Sequence, residues 1–315
     1  MRNDRGGKKM GKTAFMFPGQ GAQYVGMAKD FYDAVPVSRE MFELAGEASG
    51  LDVAALCFEE NEKINITEYT QICMLAAEIA MYKALEEKGL KPDVTAGLSL
   101  GEYGALVVSG AMTPKEAFQV VRQRGIFMQQ AVPTGGAMTA VLGLDTETIE
   151  KVCTETAGTV SVANYNCPGQ TVITGEEASV AAAAEALSAA GAKRCVPLKV
   201  SGPFHSPMLS GAGEKLGEVL AGVEIHDIQV PYLANVTADY VTDKGQVKEL
   251  LTRQVASSVR WQQSVERMIA DGVTTFVEIG PGKTLAGFMR KINRDVKVVN
   301  VEKLEDVEKA VEAMA

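Results

Sequence analysis

Gly97-Leu98-Ser99-Leu100-Gly101 sets one serine between two glycines. It follows the apolar run Val94-Thr95-Ala96 and precedes the helix-like Glu102-Tyr103-Gly104-Ala105-Leu106-Val107-Val108. A sharp strand-to-helix turn crowds the backbone around its central residue, and flanking glycines remove the Cβ atoms that would collide there. This is the layout of a nucleophile elbow. The Ser99 hydroxyl would stand clear of the sheet at a helix N-terminus, where unpaired N–H groups, Leu100 among them, can steady an oxyanion. The plainer alternative is a glycine-rich turn capped by a serine.

On either side of the elbow, the spacing predicts an α/β protein. Thr13 to Phe17 reads as a first strand, closed by the turn residues Pro18-Gly19-Gln20-Gly21. Amphipathic helical spacing then runs to about Gly89, most clearly from Tyr69 to Leu85. Thr113-Pro114-Lys115-Glu116 is a helix start with threonine cap, proline at the first position and glutamate at the third. Its helix carries Arg122 and Arg124. From residue 134 to 203 the order becomes strand, helix, two strands, helix, strand: Met138–Leu142, Thr146–Thr156, Val160–Tyr165, Thr171–Thr174, Glu176–Ala190 and Arg194–Val200. That βαββαβ order predicts an inserted ferredoxin-like small domain. The main domain, 13–133 and 204–315, resumes with apolar strands at Val230–Asn235, Thr275–Ile279 and Val296–Val301, suited to a largely parallel, covered sheet. Residues 1–12 read as a disordered leader, with Met10 as an alternative start.

A chain of 315 residues, 46% hydrophobic and 23% charged, is globular, and no apolar run approaches the roughly 20 residues needed to cross a bilayer. The formal charge of −9 argues against a general nucleic-acid binder. The five cysteines, Cys57, Cys73, Cys153, Cys167 and Cys195, are scattered, as expected of reduced core residues in a cytoplasmic protein. With only His205 and His226 to join them, clustered metal ligands are lacking, and no metal is expected.

An elbow serine needs a base, and two histidines are available. His226 alternates within Val223–Ile228 near a strand. His205 lies in Gly202-Pro203-Phe204-His205-Ser206-Pro207, a loop following a strand, and is the better candidate because catalytic side chains gather on such loops. No third acid stands out, so a Ser-His pair oriented by a backbone carbonyl or an amide is as acceptable as a Ser-His-Asp triad. The loop after the first strand emerges at the same sheet edge as the elbow and could add an oxyanion donor. Arg124 reads on spacing alone as a solvated helix residue. Gly6-Gly7-Lys8-Lys9-Met10-Gly11-Lys12-Thr13 spells a phosphate-binding loop, but it runs into a strand where that motif must open a helix. Gly280-Pro281-Gly282-Lys283-Thr284 reads as a tight turn near the active edge.

Six ordered stretches together resemble malonyl-CoA:acyl carrier protein transacylases: residues 17–23, 97–102, 124–129, 164–170, 202–206 and 278–282. The resemblance covers nearly everything after residue 12. It implies an α/β-hydrolase-like core with a ferredoxin-like insertion, Ser99 as nucleophile and His205 as general base. It further implies an oxyanion hole from Leu100 and Gln20, and malonyl carboxylate binding by Arg124. Phe204, in the malonyl-selective form, and Asn166 would help to bind substrate. The histidine would be held by a backbone carbonyl near Gln254, and Lys193, Arg194, Arg290 and Lys291 would dock the carrier. Malonyl-CoA and acyl carrier protein are the implied partners, no cofactor is required, and the family precedent is a monomer. One departure stands out, because the commoner elbow is Gly-His-Ser and here the middle residue is Leu98. A serine thioesterase or esterase, a non-catalytic carrier-binding scaffold, and an acyltransferase serving a polyketide synthase remain the alternatives.

Overall fold

The computed structural model describes residues 11–200 and 202–314. Most of the expected leader, and Gly6 to Met10 of the phosphate-loop-like string, lie outside the described residues. Lys12, assigned to that leader, instead begins the first strand.

The first element of the described residues is β1 (Lys12–Phe17), followed by α1 (Lys29–Ala34), α2 (Pro36–Ser49), α3 (Val53–Phe58) and α4 (Thr67–Glu87). Then come β2 (Val94–Gly97), α5 (Gly101–Val108) and α6 (Pro114–Ala131). A second sheet follows: β3 (Gly136–Leu142), α7 (Thr146–Glu155), β4 (Val160–Cys167), β5 (Gln170–Glu176), α8 (Glu177–Ala189) and β6 (Arg194–Pro197). The chain closes with α9 (Ser210–Ala221), β7 (Tyr232–Leu233), β8 (Tyr240–Val241), α10 (Val247–Gln254), α11 (Trp261–Ala270), β9 (Val273–Ile279), α12 (Thr284–Ile292), β10 (Lys297–Val301) and α13 (Asp306–Met314).

The first sheet has six strands in the order β10-β9-β1-β2-β7-β8 and is parallel except for β8. Helices cover both faces, so β1 is apolar on both sides. Phe15 and Phe17 pack into the larger core with α2, α4 and α6, while Ala14 and Met16 pack against Trp261, Val265 and Phe288 of α11 and α12. The Tyr69 to Leu85 stretch was expected to bury one stripe. Instead α4 is buried nearly all round, because α2 and α6 pack along it in addition to α3, α5 and the sheet.

The second sheet is antiparallel in the order β4-β5-β3-β6, with α7 and α8 packed on one face around Val141, Ile149, Ile173 and Leu187. Its other face, carrying Met138 and Val172, turns toward the first sheet. The pairing of β4 with β5 is irregular between Val162 and Asn164. Such a bulge re-aims the residues after it. Val160 and Val162 point at the helices, whereas Asn164 and Asn166 line the cleft between the sheets. The sixth strand expected to reach Val200 ends at Pro197, which has no N–H to donate. The strand expected over Val230–Asn235 shrinks to Tyr232–Leu233, and β8, too short to leave a pattern, was not anticipated.

Candidate active site

Parallel pairing places Phe17 beside Gly97, so the segments leaving β1 and β2 emerge together. Leu98 N–H donates to Phe17 O at 3.0 Å, and a Cβ on Gly19 would sit 2.8 Å from Leu98 O. The elbow glycines are required by contact. A Cβ on Gly97 would lie 1.9 Å from the carbonyl carbon of Gly101, and one on Gly101 would lie 2.2 Å from Phe17 O. Between them Ser99 adopts φ 54°, in the left-handed region that a serine enters only when its surroundings over-determine it. Those surroundings are two amides. Asn235 Oδ1 accepts from Ser99 N–H at 2.6 Å and its Nδ2 donates to Gly97 O at 2.7 Å, while Gln254 Nε2 donates to Ser99 O at 2.9 Å.

The loop before α9 brings His205, 4% exposed and also at positive φ (58°), against the elbow. Ser99 Oγ and His205 Nε2 are 2.7 Å apart. His205 Nδ1 faces two backbone carbonyls, Gln254 O at 3.0 Å and Ser257 O at 3.1 Å. A carbonyl can only accept, so Nδ1 carries the proton and Nε2 is left bare to accept from the serine. Two carbonyls thus occupy the place of a triad carboxylate. His226 goes elsewhere, pairing with Glu116 Oε2 at 3.1 Å at the start of α6.

The segment after α10 ties this histidine to the second sheet. Ser258 Oγ donates to Val162 O at 2.6 Å, Val259 N–H to Ala163 O at 2.8 Å, and Tyr165 N–H to Val259 O at 2.9 Å. Arg260 N–H donates to Asn235 O at 2.9 Å. One strap therefore joins β4, the His205 acceptors and the clamp on Ser99.

Between the sheets lies an open cleft of about 240 Å³, with Ser99, His205, Arg124 and Gln71 on its polar side and Phe204, Met128 and Phe288 among its apolar walls. Gln20 and Leu100 also line it, and neither backbone N–H has an acceptor among the described residues. The Gln20 side chain donates to Thr67 Oγ1 at 3.0 Å. Leu100 stands at the N-terminus of α5, whose dipole favours negative charge.

An acyl transferase domain model matches residues 14–309 of the chain. The malonyl CoA-acyl carrier protein transacylase of Bacillus subtilis is 46% identical over 310 residues, covering 97% of this chain and 98% of that one. The chain belongs to the malonyl CoA-acyl carrier protein transacylase family. The crystal structure of a Clostridium perfringens member superposes with a TM-score of 0.92 at 43% identity, covering 96% of each chain. A malonyl-transacylase solved in complex with a type II PKS acyl-carrier protein superposes with a TM-score of 0.93 at 40% identity, covering 96% of this chain and 99% of that one.

In this transacylase the spacing-based reading of Arg124 as solvated is overturned. Arg122 takes the outer position, donating to Glu68 O at 2.6 Å, while Arg124 turns inward and is 1% exposed. Its Nη1 donates to Gln71 Oε1 at 2.7 Å, and its Nη2 to Gln254 Oε1 at 3.0 Å and Ser99 Oγ at 3.2 Å. The guanidinium lies 5.6 Å from the Tyr103 ring centre, and no carboxylate pairs with it among the described residues. Burial, and then the Arg124 cation, lower the His205 pKa to about 4. Burial pushes Glu102 up to about 7, against donors from Gln254 and Asn235 and the Arg124 charge.

Phe204 and Asn166 are both buried and line the cleft, with Asn166 Oδ1 unpartnered among the described residues. Gln254 contributes both its carbonyl and its amide. The four basic residues are exposed. Lys291 Nζ donates to Gln170 Oε1 at 3.2 Å, beside the Gly143–Gly169 contact against which Lys193 packs. Arg194 pairs with Leu142 at the end of β3. Arg290 lies on the other flank of α12, over Val298 and Asn300 of β10. Sequence reasoning missed Gln71, Glu102, Asn235 and Ser257. Glu102 alone left a signal, as a charge inside an apolar run.

Among the described residues, no helix is long and apolar enough to cross a membrane and no group of three His, Cys, Asp or Glu could hold a metal ion.

Proposed function

We propose that the protein transfers a malonyl group from malonyl-CoA to the pantetheine thiol of an acyl carrier protein through a malonyl-Ser99 intermediate. The carrying observation is Arg124, a buried cation that pairs with no carboxylate among the described residues, 3.2 Å from the nucleophilic oxygen. A buried charge calls for a partner, and the free carboxylate of a malonyl thioester bound at Ser99 is within reach to supply it.

His205 takes the Ser99 proton as Oγ attacks the thioester carbonyl. The Leu100 and Gln20 N–H groups receive the oxyanion. Collapse expels the CoA thiolate, which takes the proton back from His205, and the carrier thiol then reverses the sequence with His205 again as base. These steps draw on side chains and backbone alone. Asn166 and Phe204 shape the acyl pocket.

The antiparallel unit, 134–203, is read as a ferredoxin-like domain inserted into an α/β-hydrolase-like core formed by 13–133 and 204–315. Its βαββαβ order and strand sequence β4-β5-β3-β6 support this. The unit roofs the cleft and, with α12, would present Lys193, Arg194, Arg290 and Lys291 to an acidic carrier. The chain would act in the cytoplasm as a monomer.

Intact-protein mass spectrometry after exposure to malonyl-CoA tests the reading. The protein should gain one malonyl group, lose it on addition of holo carrier protein, and hold it without carrier; Ser99→Ala should gain none. Rapid loss without carrier would assign a hydrolase, and a folded protein that never gains the mass would overturn the transfer.

A further inference from the structure

Glu102 follows the nucleophile by three residues, is 1% exposed, and does not line the cleft. Its Oε2 accepts from Gln254 Nε2 at 2.7 Å and from Asn235 N–H at 3.1 Å. Its Oε1 has no hydrogen-bond partner among the described residues. Both partners of Oε2 reach into the site. Asn235 holds Ser99 N–H and Gly97 O, and Gln254 holds Ser99 O with its amide nitrogen and Arg124 Nη2 with its amide oxygen. One buried oxygen therefore terminates both chains of contacts.

Oε2 can only accept, whether the carboxyl is ionised or carries a proton on the unpartnered Oε1. Together with Ser99 O, the other acceptor of the same nitrogen, it turns the Gln254 NH2 inward and the amide oxygen toward Arg124. Without that acceptor the amide is held inward by Ser99 O alone, one of its N–H groups is left unpaired, and its oxygen is less firmly aimed at the guanidinium. The contact that aims Arg124 would then weaken, and with it a restraint on the left-handed backbone of Ser99.

We propose that Glu102 is a positioning residue for acyl transfer, fixing the Gln254 amide and the Asn235 backbone and, through them, the aim of Arg124 and the seat of Ser99. The inference rests on the transfer reading above. It makes acyl selectivity depend on a residue that touches no substrate.

Glu102→Leu removes the acceptor at similar size, and Glu102→Gln keeps an oxygen able to accept both bonds. For each variant, thermal unfolding, Ser99 loading from malonyl-CoA and acetyl-CoA, and Ser99 labelling by a fluorophosphonate would be measured. The fluorophosphonate requires the Ser-His pair and carries no carboxylate. Disturbing a charge-assisted hydrogen bond to Arg124 costs roughly tenfold to hundredfold. The malonyl-to-acetyl loading ratio should therefore fall at least about tenfold in Glu102→Leu and return to within about threefold of the parent in Glu102→Gln. A residue that only stabilises the fold would scale both substrates alike. A folded Glu102→Leu with an unchanged ratio, or Glu102→Gln as impaired as Glu102→Leu, overturns the proposal. If Glu102→Leu does not fold, Glu102→Asp, whose shorter side chain withdraws the oxygen from both partners, must lower the ratio, and an unchanged ratio there overturns the proposal equally. A parent protein that reacts with fluorophosphonate but never gains malonyl mass would instead sink the transfer reading. The hold of Glu102 on Ser99 is then judged by fluorophosphonate alone, with a slower Glu102→Leu supporting it and an equal rate refuting it.

Discussion

The Arg124 guanidinium donates directly to the Ser99 hydroxyl oxygen, at 3.2 Å, while that oxygen also meets His205 Nε2 at 2.7 Å. A cation so placed favours the alkoxide that forms as the serine loses its proton. It also disfavours the imidazolium that receives it, so its net value must come from the acyl group. Once Ser99 is esterified, its oxygen is a poorer acceptor and Nη2 is free for the acyl carboxylate.

Arg124→Ala should therefore lower kcat/KM for malonyl-CoA by about tenfold to a hundredfold, the worth of a charge-assisted pair. Loading from acetyl-CoA should be spared or raised, since the buried cation no longer opposes His205. Steady-state loading with both donors decides this, and equal losses would refute the carboxylate role.

The His205 pKa, lowered to about 4 by burial and by Arg124, keeps the imidazole neutral and basic through the neutral range. With acetyl-CoA as donor, the acid limb of the kcat/KM profile should fall near pH 4, below the usual histidine value of about 6.5. Arg124→Gln should move that limb upward. Stability follows the same sign. Between the unfolded value and the folded one the unfolded chain binds more protons, so this histidine's contribution, complete above about pH 6.5, is lost as the pH falls toward 4. A limb near the unperturbed value in the parent protein would show that His205 is not held as described.

The elbow was legible because its constraints are local: Gly97 and Gly101 are needed by backbone within four residues or on the adjacent strand. Ser99 and His205 were legible as residue types in punctuated segments. The partner of His205 was not, because any residue can offer a backbone carbonyl, and only the turn after α10 brings those of Gln254 and Ser257 to Nδ1. Arg124 misled for the opposite reason. Helical spacing does not reveal that α4 covers that face of α6, and the cation is buried by a neighbour far away in the chain. Asn235 sits beyond a two-residue strand whose apolar run predicted six, so its clamp on the elbow had no counterpart in the pattern.

The glycines of the elbow can be separated from ordinary ones by stability. Gly97→Ala would drive a Cβ to 1.9 Å from Gly101 backbone, and should destabilise by more than about 3 kcal/mol because neither side can yield. Gly287, inside α12 with nothing within 4 Å of its Cβ position, should gain about 0.5–1 kcal/mol on replacement by alanine. Denaturant unfolding of both variants checks the contrast, and a Gly97→Ala protein as stable as its parent would refute the elbow geometry.

Carrier docking should follow the division seen around α12. Lys291→Glu and Lys193→Glu, at the Gln170 and Gly143 side, should raise the KM for carrier protein several-fold at saturating malonyl-CoA, about 1 kcal/mol per reversed contact. Arg290→Glu, over β10, should raise it less. Malonyl loading from CoA should stay unchanged in all three, and a loading defect in any of them would move that residue from the carrier surface to the donor site.

Asn235 offers the sharpest test of how the strained serine is maintained. A non-glycine residue at φ 54° holds a conformation costing about 1–3 kcal/mol, and the Asn235 amide meets that cost by binding Ser99 N–H and Gly97 O together. Asn235→Ala removes both contacts and leaves a buried N–H and C=O unpaired, so the protein should lose about 2–4 kcal/mol of stability. The folded fraction should show kcat reduced roughly tenfold to a hundredfold with KM for malonyl-CoA little changed, because Arg124 still binds the acyl carboxylate while Oγ is off line for attack. Asn235→Asp keeps the acceptor for Ser99 N–H but sets a carboxylate oxygen against Gly97 O, two acceptors in contact, and should be impaired as strongly in kcat. If Asn235→Asp instead retains full turnover, the restraint on Ser99 comes from its own N–H contact alone, and the two-sided clamp is wrong.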